Sequence, residues 1–183
     1  MVNRTGTYFA FDGLGEADPT KSDFKYYAIA QRWDTLKNID FDFVDSHEKA
    51  SAVRDTSKRA TLEASILKRL AASKNMVVII SDKTRQSGSM LDFEIIKAVD
   101  TYDLPLIIAY TDYSFILDVE FHENEWPTSL KTRIINNTAK AIHVPFKKDA
   151  ILDAINRFTV NTNKLNSSKH NYSWKAHEKW GYL

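Results

Sequence analysis

Residues 76–102 read MVVIISDKTRQSGSMLDFEIIKAVDTY, and the order of apolar and polar positions in this stretch decides the fold. Met76 to Ile80 is apolar without a break, Ser81 opens a polar loop that holds Gly88, and from Met90 onward the chain turns amphipathic and carries Glu94. A short apolar run bounded by a polar turn reads as a strand buried on both faces, and apolar recurrence at about 100° per residue reads as a helix. Strand, loop and helix in this order form one arm of a unit whose strands run parallel.

The same unit recurs on either side. Toward the N-terminus, Thr7 to Asp12 (TYFAFD) is an aromatic strand ended by Asp12 and Gly13, and Phe24 to Leu36 spaces Tyr27, Ile29, Ala30, Trp33 and Leu36 as a helix does. Ile39 to Asp45 (IDFDFVD) alternates strictly, with Asp40 and Asp42 on one face, which predicts a strand wet on one side. A polar loop, Ser46 to Arg59, leads to a helix through Leu62, Ile66, Leu67 and Leu70 that Ser73 and Lys74 close. Toward the C-terminus, Leu104 to Tyr110 is a second unbroken apolar strand. An acidic and aromatic loop (Thr111 to Pro127) and a short helix (Ser129 to Asn137) follow. Ala139 to Phe146 alternates as a second edge-like strand, and Lys147 to Phe158 closes as a helix.

Five strand–helix alternations predict an α/β fold with a parallel sheet covered by helices on both faces. The apolar strands one, three and four belong inside the sheet and the alternating strands two and five at its edges. The order 2-1-3-4-5 satisfies all five, which is a flavodoxin-like, doubly wound, five-stranded sheet. Ligands of such sheets bind beyond the carboxyl ends of the strands, at the switch point between strands one and three. Those ends supply Asp12, Asp45, Ser81 and Thr111.

This pattern occupies residues 1–158. Residues 159–183 turn to Asn, Ser, Thr and Lys and then to Tyr172, Trp174, Trp180 and Tyr182, as in a linker or frayed extension whose aromatic end packs back or meets a second copy. The bulk numbers bound the function: 183 residues suit one domain, and a net charge of +1 leaves no field for nucleic acid. No apolar run is long enough for a bilayer and no N-terminal apolar stretch marks export, so a cytoplasmic location is expected. With no cysteine and five scattered histidines, of which only His170 and His177 lie near each other in sequence, no metal site is expected. Gly13, Gly15 and Glu16 do not make a dinucleotide fingerprint, and no nucleophile elbow is present. Ser81 stands where a receiver domain needs its aspartate.

Glu94 is the leading candidate for chemistry. Leu91, Ile95, Ala98, Val99 and Tyr102 form one helical stripe, and Glu94 falls at its margin between Met90 and Ala98. This predicts a carboxylate at the lip of the core, partly desolvated and suited to a developing cation or to ribose hydroxyls. The ordinary alternative is a solvated flank. Ser81 and the polar residues through Ser87 form a second candidate, able to hold sugar or phosphate; the ordinary alternative is an exposed loop.

At the level of motifs, TYFAFD, IDFDFVDSH followed by VRD, SKNMVVIISDKT and the FEI of the third helix resemble the TIR-like domains of bacterial antiphage defence, those of Thoeris systems in particular. The likeness runs from Thr7 to Phe158. It implies a flavodoxin-like fold and an enzyme that uses NAD as substrate, with no further cofactor and no metal, with Glu94 acting at the nicotinamide ribose. The product implied is a cyclic ADP-ribose-type signal that activates a separate effector, with a phage-derived activator and self-assembly into a homo-oligomer as further partners. On this reading Phe11 stacks near nicotinamide, Ser81 and Arg85 meet sugar or phosphate, and Asp12, Asp45 and Ser46 complete the crevice. Many such domains carry Trp or Cys shortly before the glutamate, where this chain has Met90, Leu91, Asp92 and Phe93. Two rivals remain at this point: a non-catalytic TIR adaptor, and an enzyme like the nucleoside deoxyribosyltransferases, which also set a glutamate in a similar fold.

Overall fold

The apolar run at residues 76–80 forms the second half of β3 (Ser73–Ile80), every residue of which except Lys74 is buried. The fold around it comes from a computed structural model that describes residues 4–14, 22–34, 43–44, 56–162 and 165–183. Ahead of β3 come β1 (Gly6–Ala10), α1 (Phe24–Asp34), β2 (Phe43–Val44) and α2 (Thr56–Ala72). After it come α3 (Met90–Asp100), β4 (Leu106–Tyr110), a 3-10 turn (Glu120–Glu125), α4 (Thr128–Ile135), β5 (Ala141–Pro145) and α5 (Lys148–Arg157). The C-terminal extension adds β6 (His170–Asn171) and α6 (Trp174–Lys179).

Among the described residues the strands pair in the order β2-β1-β3-β4-β5-β6, all parallel. The order of the first five is the expected one, and the sixth is an addition from the extension. Alternation along each strand sorts the core into two layers. Tyr8, Ala10, Met76, Val78, Ile80, Leu106 and Ile108 meet α2, α3 and α4 on one face. Phe9, Phe11, Val77, Ile79, Ile107 and Val144 meet α1 and α5 on the other. The helix-to-strand junction at residues 72–73 has no loop: Ser73 Oγ donates to the Arg69 carbonyl at 2.9 Å, ending α2.

Two expectations are corrected. Strand five is not an edge. All five residues of β5 are buried, because β6 lies beside it in the register Ile142↔His170 and His143↔Asn171. The polarity of His143 reflected a buried hydrogen-bonded partner rather than a wet face. Nor is the extension frayed: Leu165, Ser168, Tyr172 and His177 are buried and Trp180 packs against the second layer. Most of the expected strand two, Ile39–Asp45, lies outside the described residues. Among the described residues no helix is long and apolar enough to cross a membrane.

Candidate active site

At the carboxyl end of β1, Asp12 is fully buried. Its Oδ2 accepts the Arg85 backbone N–H at 2.9 Å and Arg85 Nε–H at 2.9 Å, and its Oδ1 accepts Arg85 Nη2–H at 2.6 Å and the Leu14 N–H at 2.8 Å. Burial pushes the Asp12 carboxyl up, but these donors outweigh it and hold the group below the ordinary aspartate range. The end of β3 is tied to α1 in the same manner. Ser81 Oγ donates to Asp23 Oδ1 at 2.7 Å, Thr84 Oγ1 donates to Asp23 Oδ2 at 3.3 Å, and the Ser81 N–H donates to Thr84 Oγ1 at 2.9 Å. Burial raises the Asp23 carboxyl above its usual value despite both hydroxyls.

The residues that the sequence places in a polar loop are therefore tied to β1 and α1 at its start. They are also held farther along, where the Thr128 N–H donates to the Gln86 carbonyl at 2.7 Å. Gly88, at φ +80°, supplies the left-handed turn that a side chain would strain before the chain enters α3.

Helix α3 buries Met90, Leu91, Glu94, Ile95 and Ala98. Glu94 lies deeper than expected: it has no exposed surface, and the Tyr8 hydroxyl, from the middle of β1, donates to its Oε1. Burial first, then the adjacent Glu94 charge, push the Tyr8 phenol well above its ordinary value, so it remains a donor. A cavity of about 340 Å³ opens along the same helix, lined among others by Arg59, Ser89, Met90, Asp92, Phe93 and Ile96. Met90, one turn before Glu94, is 7% exposed. Ser89-Met-Leu-Asp92 has the spacing of a capping box, and Ser89 sits at the N-cap with extended backbone, yet its hydroxyl makes no capping bond. Ser89 Oγ and Asp92 Oδ1 are both buried without a hydrogen-bond partner among the described residues.

The structure brings Asp12 and Arg85 together and sets Ser81 beside them on the α1 side. Ser81 is 5% exposed and its hydroxyl is given to Asp23. Phe11 points to the layer opposite Glu94, 4% exposed, its ring stacked on Tyr27 at 5.5 Å between centroids. Asp45 and Ser46 lie outside the described residues. Thr111 Oγ1 donates to Asp112 Oδ2 at 3.0 Å. Sequence reasoning missed Asp23 and Tyr8. Asp23 had a signal, the Ser22-Asp23 pair just ahead of a helical pattern; Tyr8 had only its hydroxyl in a strand of Phe and Ala.

A comparison with protein families adds one finding: the model described as Thoeris protein ThsB, TIR-like domain, matches residues 8–115. The matched span runs from Tyr8, through Asp12, the Ser81–Arg85 turn and Glu94, to just past β4.

Proposed function

Because the chain belongs to the family of TIR-like domains of the Thoeris protein ThsB, we propose that it cleaves the nicotinamide glycosidic bond of NAD with Glu94 as the catalytic carboxylate, and that it serves antiphage defence. The observation that supports the reading is an acid with no exposed surface on α3, held by Tyr8 of β1, one of the two strands that flank the switch point beyond whose carboxyl ends this fold takes its ligands. A carboxylate fixed in an apolar layer stabilises positive charge far better than one in water.

Departure of nicotinamide takes the bonding electron pair to its ring nitrogen and leaves oxocarbenium character on the anomeric carbon, which Glu94 faces. A hydroxyl then attacks that carbon and gives its proton to the carboxylate. Water as attacker yields ADP-ribose; a hydroxyl of the same molecule yields a cyclic ADP-ribose-type signal for a separate effector. The cavity along α3 falls in the size range of small-molecule pockets. Glu94 itself does not line that cavity; Met90, one turn before it, does, and on this reading its unbranched, adaptable side chain has to move for a ribose to reach the carboxylate. Arg85 fixes Asp12 with two nitrogens, and the rest of its side chain, 42% exposed, is positioned for a phosphate at the strand ends. A phage-derived activator and self-assembly belong to the same reading.

The test is nicotinamide release from NAD by wild type and Glu94→Gln, each purified from phage-infected cells so that any activator is present. Loss of at least about a hundredfold is expected, the scale of removing one transition-state charge partner. Equal rates refute the assignment.

A further inference from the structure

A carboxylate without exposed surface is costly to bury unless a donor faces it, and a buried tyrosine hydroxyl is costly unless it finds an acceptor. Tyr8 and Glu94 answer each other across 86 residues of chain. Tyr8 lies mid-strand in β1, paired in register with Val44 of β2 and Met76 of β3. It has no exposed surface and sits in the apolar layer of Leu62, Ile66, Leu91 and Ile95. In that position a phenylalanine fills the same volume with no hydroxyl to desolvate, and the neighbouring residues of the strand, Phe9, Ala10 and Phe11, are of that apolar kind.

We propose that Tyr8 is a positioning residue for Glu94: its hydroxyl donates to the carboxylate, fixes it against the sheet and favours its ionised form. An ionised carboxylate only accepts, so the hydroxyl is the donor and the direction of the bond is set. The donor persists because the phenol holds its proton far into the alkaline range. The other titratable groups whose charge reaches Tyr8 are Arg69 of α2, which acts in the opposite sense, and Tyr27 of α1. The catalytic consequence rests on the role proposed for Glu94; the effect on its ionisation does not, and the two are read separately.

The experiment is a carbon-13 NMR titration of the Glu94 carboxyl, its signal assigned by its loss in Glu94→Gln, in wild type, in Tyr8→Phe and with 3-fluorotyrosine at position 8. Removing the donor raises the midpoint by about one pH unit or more, a tenfold change in the ionisation constant. The fluorinated phenol, a stronger donor of nearly the same volume, lowers it. Nicotinamide release measured across pH then moves its acid limb in step with each midpoint, whereas a merely structural Tyr8 lowers the melting temperature and leaves the limb in place. A midpoint that stays put in Tyr8→Phe refutes the proposal, and if that variant fails to fold, an unmoved midpoint in the fluorinated protein refutes it alone. Wild-type rates in Glu94→Gln overturn the catalytic role while leaving the ionisation result to stand or fall by the titration.

Discussion

Acidification loosens this protein through His143, and the size of the effect follows from three hydrogen bonds. The ring lies in β5 with no exposed surface. Its Nε2 faces the Ser168 carbonyl at 3.0 Å, which accepts only, so Nε2 carries the proton and Nδ1 is the acceptor. Tyr110 Oη therefore donates to Nδ1 at 2.7 Å and itself accepts Trp126 Nε1–H at 2.7 Å. Every member of this chain is satisfied only while the imidazole is neutral. Burial accordingly lowers its pKa from 6.5 to about 4.

The sign is that of a group depressed in the folded state. The unfolded chain binds the proton first, so the stabilisation is complete above pH 6.5 and is lost as pH falls toward 4. The whole shift corresponds to about 3 kcal/mol, and about 2 kcal/mol of it is gone by about pH 5. The assay is urea unfolding at about pH 7.5 and about pH 5 for wild type and His143→Gln, which removes the titration and keeps an amide donor for the Ser168 carbonyl. His177, Asp12 and Asp100 are also lowered and lose stability in the same direction, but they are common to both proteins and cancel in the difference. The stability advantage of wild type over the variant shrinks by about 2 kcal/mol across that interval; an advantage that stays constant with pH refutes the neutral-imidazole account.

Two further substitutions test the joints that hold the site. Among the described residues, Arg85→Ala leaves the fully buried Asp12 carboxylate with the backbone amides of residues 85 and 14 as donors and costs about 2 kcal/mol in urea unfolding, less than a fully buried pair because Arg85 is partly solvated. Asn75→Leu removes an amide that donates to the Ile155 and Phe158 carbonyls at 2.9 Å each and accepts from Thr7 Oγ1 at 2.8 Å. With two carbonyls orphaned at the end of α5, it costs about 3 kcal/mol and lowers the melting temperature.

What could be read from the chain, and what could not, divides by the range of the interaction. The unbroken runs at residues 76–80 and 106–110 locate β3 and β4 because double burial is a local property of sequence. From there the edge rules order the first five strands as observed. The extension looked like a linker because what anchors it is distant: Ser168 Oγ donates to the Ile134 carbonyl at 2.7 Å, and His177 Nε2 lies 3.2 Å from the Ile116 carbonyl. Polar residues with remote partners have the same composition as polar residues with none. Phe11 illustrates a different point, one of parity. It is three residues from Tyr8, an odd step, so in an extended strand it faces away from whatever Tyr8 faces, and Tyr8 faces Glu94.

Glu94 shows where periodicity stops. A helical stripe fixes the direction in which a side chain points, and Glu94 does point to the buried face. Its depth depends on what the sheet sets opposite. An apolar residue there excludes a carboxylate, whereas a hydroxyl receives it. Tyr8 is that hydroxyl. The pairing of a buried acid with a buried phenol therefore belongs to β1 and α3 together, and neither segment read alone contains it.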